Sequence, residues 1–176
     1  MATDVQLTPP DPHPFLKWAG GKATLVGEIA ERIPRRTSYR RYVEPFVGAG
    51  AMFFWIRRSM PSLACQIGDS NGELMNAYVA IRDQVDALIA KLETHALMHS
   101  REYYYAVRKK VPSEPEERAA RFIYLNRTCY NGLYRVNRRG EFNVPMGRYE
   151  NPRVANRENL LAVSSVLQGV DLRHSD

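Results

Sequence analysis

The apolar residues Val85, Leu88, Ile89 and Leu92 fall at i, i+3, i+4 and i+7, the stripe of an amphipathic helix. The pattern predicts helix from residue 73 to about residue 98. Upstream the period shortens. Residues 39–46 (YRRYVEPF) read as a short strand that runs straight into Val-Gly-Ala-Gly-Ala, and apolar residues 52–56 open a helix. Residues 63–67 (LACQI) form a second short apolar run, closed by Gly68, Asp69, Ser70 and Asn71. Strand, glycine turn, helix and strand make a β-α-β unit, which implies a parallel sheet. Downstream, Pro112 and Pro115 interrupt the chain before residues 116–126 (EERAARFIYLN) turn helical again. Residues 130–150, dense in Gly, Asn, Arg and Tyr, predict a hairpin or ordered loop, and residues 168–173 (QGVDLR) one more strand. The chain shows no internal repeat and no low-complexity tract.

At 176 residues the chain suits one domain, or one domain carrying an insertion. Its 44% hydrophobic content is enough for a packed core. No apolar run approaches the roughly 20 residues that span a bilayer. Residues 1–14 lack the cationic-then-apolar order of a signal peptide, so they read as a loose lead-in to a cytoplasmic protein. Cys65 and Cys129 stand far apart, and no Cys/His spacing suggests a zinc site, so no metal is expected and both thiols should be buried and free. The net charge of +6 favours an anionic partner.

The first chemical signal is Glu44-Pro45-Phe46-Val47-Gly48-Ala49-Gly50. Glycines at a strand end let the backbone approach a ligand closely. Phe53 stands where a dinucleotide fingerprint would need its third glycine, and Gly21-Lys22-Ala23 lacks the Ser or Thr of a P-loop. Asp69 lies 25 positions after Glu44, at the end of the next strand, where a carboxylate accepts hydrogen bonds from ribose hydroxyls. An adenosine-bearing cofactor without a pyrophosphate fits both features, with Glu44 and Phe46 as hosts for positive charge. The alternative is a tight turn followed by a helix-capping Asp.

In the order FLKWAGGK, VEPFVGAGA, GDSNGELMNAY, YLNRTCYNGLYRVNRRGEFNVPMGRY, the chain resembles the Dam-type family of DNA adenine methyltransferases from about Phe15 to Asp176. The resemblance implies an α/β, Rossmann-like, S-adenosylmethionine-dependent methyltransferase fold with an inserted, mainly helical DNA-recognition subdomain carrying a hairpin. The core would comprise residues 1–75 and 159–176, and the recognition subdomain residues 76–158. It also implies S-adenosyl-L-methionine as cofactor, in a pocket of Trp18, Lys22, Glu44, Phe46, Gly48, Gly50 and Asp69, with Asp176 near its adenine. The implied activity is methyl transfer to the N6 amine of adenine, in a restriction-modification, phage or housekeeping setting.

The partner implied by the resemblance is double-stranded DNA. Between Arg121 and Arg148 the chain holds Arg121, Arg127, Arg135, Arg138, Arg139 and Arg148 against one acid, Glu141. Arginine's planar fork suits phosphates and guanine edges. The interleaved Tyr124, Tyr130, Tyr134, Phe142 and Tyr149 offer stacking surfaces for displaced bases. By resemblance Tyr130 and Asn131 meet the gap left by a flipped base, and Arg135 reads a guanine. Leu133 and Pro145 would touch a thymine methyl, Lys17 would contact a base, and Arg148 and Tyr149 complete the DNA-binding set, favouring GATC or a close relative.

The family's catalytic motif, Asp-Pro-Pro-Tyr, does not occur in the sequence. The expected sheet of three strands is short of the family's seven and leaves its last strand at an unprotected edge. The reading is therefore a truncated copy or one piece of a split enzyme, inactive alone, with a complementary C-terminal fragment as expected partner. A non-catalytic DNA-binding module is the alternative.

Overall fold

Two short runs bounded by turn residues, β1 (Arg41–Glu44) and β2 (Ala64–Asp69), pair in parallel with Tyr42 opposite Cys65 and Glu44 opposite Ile67. A third strand, β3 (Asp171–His174), joins the far side of β2 in parallel, giving the order β1-β2-β3. The computed structural model describes residues 11–18, 21–34 and 39–174. The lead-in up to residue 10, the Ala19-Gly20 pair and Asp176 lie outside these residues. The fold is a mixed helix-and-strand structure around a small parallel sheet, as the β-α-β pattern requires. Both expected strands of that unit form, and residues 171–174 supply the third.

Nine elements complete the described residues. A 3-10 turn (Lys22–Leu25) leads into α1 (Val26–Arg32), and α2 (Ala51–Ser59) crosses between β1 and β2. Helices α3 (Gly72–Asp83), α4 (Val85–Leu97), α5 (Arg101–Lys109) and α6 (Pro115–Thr128) follow, then a short 3-10 turn (Tyr130–Gly132) and α7 (Arg157–Leu167). None of these helices is long and apolar enough to cross a membrane. The core centres on α3 and α6, which pack on each other, with α4 against α6 and α7 against α3. Tyr78, Tyr104, Tyr124, Leu88, Ile89 and Leu92 are fully buried there.

The single helix expected over residues 73–98 is two helices, broken at Gln84. The cause lies outside the segment. The Arg82 carbonyl accepts hydrogen bonds from Gln168 Nε2 (2.9 Å) and Ser164 Oγ (3.4 Å) of α7. Helix α5 was not evident in its run of three tyrosines. Ser100 caps it, accepting from the Tyr103 N–H, and Tyr104 anchors it by donating to the Val144 carbonyl at 2.9 Å. Of the hairpin or ordered loop expected over residues 130–150, the structure shows an ordered loop with two isolated antiparallel bridges, Cys129 to Met146 and Val136 to Phe142. Cys65 and Cys129 are buried free thiols, and burial pushes Cys129 up to about 11.

Where α4, α5 and α6 meet, two histidines face tyrosine hydroxyls. His95 Nδ1 lies 2.9 Å from Tyr103 Oη and its ring stacks on Tyr124, while His99 Nδ1 lies 2.9 Å from Tyr124 Oη. Burial lowers both pKa values, with Lys91 adding to the effect at His95. The folded chain therefore resists protonation that the unfolded chain accepts below about pH 6.5. Stability present above that pH is expected to decline as pH falls from 7.5 toward 5. Thermal melts across this range should show a shallower decline in the His95→Gln/His99→Gln variant.

Candidate cofactor cleft and recognition loop

At the C-terminal ends of β1 and β2 the chain folds around a cleft of about 190 Å³. Its walls include Trp18, Lys22, Glu44, Phe46, Gly48, Gly50 and Asp69, the seven positions singled out in the sequence, together with Gly21, Ala51 and Met52. The turn after β1 makes the cleft. Gly48 and Gly50 adopt φ of +51° and +79°, left-handed conformations that side-chain-bearing residues rarely take. A Cβ on Gly48 would lie 3.1 Å from Trp18 Cδ1, so the indole rests directly on the turn.

Three bonds hold the turn in place. The Gly48 N–H donates to Asp69 Oδ2 at 3.1 Å, the Val47 N–H to the Gly68 carbonyl at 2.9 Å, and the Tyr78 hydroxyl to the Gly48 carbonyl at 3.0 Å. The other Asp69 oxygen accepts from the Asn71 N–H at 3.0 Å. Asp69 is therefore not the cap of α3. That cap is Asn71, whose side chain accepts from the N–H groups of Glu73 and Leu74. The alternative reading of a helix-capping Asp is corrected by one shift of two residues. Tyr78 carried no assignment in the sequence, although it sits two helical turns beyond Asn71 on α3.

Glu44 ends β1 with 9% of its surface exposed. Burial raises its carboxyl above the ordinary range, against the opposing pull of the Tyr42 hydroxyl, which donates to Oε2 at 2.8 Å, and of nearby Lys22. A buried carboxylate at the floor of a cleft favours a cationic occupant. Phe46 is 74% exposed at the mouth, an unusual position for a phenyl ring. A larger cleft of about 430 Å³ lies between α4, α5 and α6, but its Lys91 and Glu117 pair with each other at 3.4 Å. We place the candidate site at the glycine turn, where polar groups converge.

On the other side of Trp18 lies the loop of residues 130–150, the candidate recognition loop. The buried Asn126 side chain accepts from the Lys17 N–H at 2.8 Å and donates to the carbonyls of Lys17 (2.6 Å) and Gly132 (3.0 Å). One amide thus joins the segment leading to Trp18 to the start of the loop. Lys17 Nζ sits 3.7 Å above the Tyr149 ring, a cation–π contact. Tyr130 is 52% exposed with its N–H on the Pro145 carbonyl (2.9 Å), and Asn131 takes φ +53° beside it. Pro145, Arg148 and Arg135 are exposed, the last held by Asn143 Oδ1 at 2.7 Å, while Leu133 is half-buried against the core.

Parts of the expected arginine-and-aromatic surface face inward. Arg121 is buried and donates to the carbonyls of Val107 (2.9 Å) and Arg108 (2.7 Å), closing the end of α5. Arg127 is half-buried and donates to the Arg153 carbonyl at 2.9 Å. Both belong to the long buried face of α6, and their guanidinium groups satisfy backbone acceptors that would otherwise lack partners. Tyr124 and Phe142 are likewise buried, so neither is a platform for a displaced base. Arg135, Arg138, Arg139 and Arg148 remain exposed.

A family model for the D12 class of N6 adenine-specific DNA methyltransferases matches residues 18–176. The chain belongs to this family. Among relatives of this D12-class chain, a type II methyltransferase, M.MjaIII of Methanocaldococcus jannaschii, is 42% identical over 93% of the chain and 62% of its own length. The type II methyltransferase M1.LlaDCHI of Lactococcus lactis subsp. cremoris is 39% identical over 92% of the chain and 57% of its own length. The DNA adenine methylase of Escherichia coli strain K12 is 40% identical over 78% of the chain and 49% of its own length. The D12-class chain therefore spans from about half to 62% of the relatives it matches.

Proposed function

We propose that this chain supplies the cofactor-binding and DNA-recognition parts of an adenine-N6 DNA methyltransferase that uses S-adenosyl-L-methionine. Residues 1–75 and 159–176 would form a Rossmann-like core, and residues 76–158 the recognition subdomain. The observation that carries the reading is the convergence of Trp18, Glu44, Gly48, Gly50 and Asp69 on one cleft at the strand ends. The chemistry of the cleft suits the cofactor. Each Asp69 oxygen accepts one backbone N–H and keeps a second lone pair for a ribose hydroxyl. Glu44 offers a buried carboxylate, and Phe46 an aromatic face, to positive charge.

When bound, the cofactor would supply an electrophilic methyl group. The chain's residues would do the holding: Asp69 the ribose, Trp18 the flat adenine face, Glu44 the cationic end. Lys17, Tyr130, Asn131, Leu133, Arg135, Pro145, Arg148 and Tyr149 would meet a duplex at GATC or a related site. Tyr130 is exposed enough to fill the gap left by a flipped adenine. Since Asp-Pro-Pro-Tyr is absent from these 176 residues, they are expected to bind without appreciable methyl transfer by themselves.

Equilibrium dialysis with labelled S-adenosylmethionine, followed by incubation with adenine-containing duplex, tests both statements. Saturable binding with negligible label in DNA is the expected result, and failure to bind the cofactor would overturn the reading. Arg135→Ala should leave folding intact, because the side chain is exposed and bonds only Asn143. It should cost about 1–3 kcal/mol of guanine discrimination, a factor of roughly 5–150 in competition between GATC and guanine-substituted duplexes. Unchanged preference would remove Arg135 from the reading set.

A further inference from the structure

Tyr134, one of the aromatics read in the sequence as a stacking surface for displaced bases, instead turns inward and packs on the Trp18 wall of the candidate cleft. Its ring stacks on Trp18 with centroids 5.9 Å apart and planes inclined by 21°. That indole is the one resting on Gly48. The Asn71 side chain lies beside the Tyr134 hydroxyl, and the Asn71 N–H donates to Asp69 Oδ1 at 3.0 Å. Phe122 and Phe142 pack against the Tyr134 ring at tilted angles, with centroid distances of 5.5 Å and 5.9 Å. A single side chain of the recognition loop is thus in contact with the Trp18 wall and one step from the Asp69 wall.

The neighbouring residue faces the other way. Side chains alternate along extended chain, so Tyr134 points into the protein while Arg135 points to solvent. The Arg135 backbone is tied across the loop, its carbonyl accepting from the Asn143 N–H at 3.1 Å. A duplex gripped through Arg135 therefore acts on the residue bonded directly to Tyr134. Aromatic stacks have preferred offset geometries and resist sliding, so they transmit such a displacement or hold it fixed.

We propose that Tyr134 is a positioning residue that couples the recognition loop to the cofactor cleft, so that duplex and cofactor favour each other's binding. The coupling rests on the proposed function above and adds to it a residue and a direction. Reciprocity is required: whatever factor the duplex adds to cofactor affinity, the cofactor adds to duplex affinity.

Trp18 and Trp55 are the two tryptophans, so Trp55→Phe leaves Trp18 as sole emitter. In that background, S-adenosylmethionine affinity is measured with and without a GATC duplex, and duplex affinity by anisotropy. The expected parent result is a fivefold or larger tightening by the second ligand, with duplex alone shifting Trp18 emission. Tyr134→Leu, which fills the space without an aromatic ring or hydroxyl, should bring the factor to one and abolish the emission shift while each ligand still binds. Tyr134→Phe keeps the stack on Trp18, so the parental factor is expected to be retained. If both ligands bind but their factor is one in the parent, or is unchanged in Tyr134→Leu, the coupling is overturned. A factor of one in a Tyr134→Phe variant that still binds both ligands would overturn the stack as the carrier, and Tyr134→Met takes the place of the leucine variant, with the same expected loss and the same overturning result, if that one fails to fold. Loss of cofactor binding in the parent itself, with duplex or without, would overturn the proposed function instead.

Discussion

Gly50→Ala is expected to lower the stability of the chain by about 2–5 kcal/mol, a large fraction of the roughly 5–15 kcal/mol typical of a folded domain. Two effects combine. A residue with a Cβ at φ +79° carries about 1–2 kcal/mol of backbone strain. The added carbon would also lie 2.6 Å from Tyr78 Oη and 3.0 Å from Phe54 Cε2. Both rings are buried, and Tyr78 is held by its bond to the Gly48 carbonyl, so neither can yield without disturbing the turn. Overpacking of this kind costs about 1–3 kcal/mol. Urea denaturation followed by circular dichroism measures the loss. Tyr78→Phe removes the nearest atom, so the double variant Gly50→Ala/Tyr78→Phe should be more stable than the two single losses predict. Strict additivity would show that the hydroxyl is not the obstacle.

Glu44→Gln should separate stability from binding. The Glu44 carboxyl is raised by burial, so the folded chain binds its proton more tightly than the unfolded chain does. The stability this proton provides is present at low pH and lost as pH rises through the folded value, above which the buried carboxylate opposes folding. A neutral amide of the same shape relieves that opposition, and its oxygen still accepts the Tyr42 hydroxyl. The variant is expected to melt at or above the parent's temperature at pH 7. Its affinity for S-adenosylmethionine should fall about 10- to 100-fold, since a hydrogen bond or ion pair to a charged group is worth about 1.5–3 kcal/mol. S-adenosylhomocysteine, which has no sulfonium charge, should lose less. Equal losses for the two ligands would mean that Glu44 does not face the sulfonium. In the parent, affinity for the cation should decline as pH falls through the raised Glu44 value, and the variant should lack that decline.

Functional interest and cost therefore meet at the same positions. The turn combines two left-handed glycines, a buried acid and an exposed phenyl ring, each unfavourable or neutral for folding by itself. What stabilises the turn is brought from elsewhere: Tyr78 from α3, Asp69 from β2 and the Trp18 indole from the N-terminal segment.

Local order in the sequence was enough for the strands of the β-α-β unit, because each is a short apolar run bounded by turn residues. It was enough as well for Glu44, Phe46, Gly48, Gly50 and Asp69, because strand ends in a parallel sheet lie together whatever surrounds them, whereas Trp18 and Lys22 were indicated only by the family resemblance. Only the tertiary structure decided where partners come from. The break at Gln84 depends on Gln168 and Ser164 meeting the Arg82 carbonyl, acceptor and donors more than 80 positions apart. Arg121 and Arg135 look alike in sequence, but one closes α5 from the interior and the other stands in solvent. Asn71 rather than Asp69 caps α3, since the Gly48 N–H claims the aspartate. The physical reason is the same throughout. Periodicity and turn chemistry act over a few residues, while burial and hydrogen-bond satisfaction are settled by whichever groups the completed fold brings within about 3 Å.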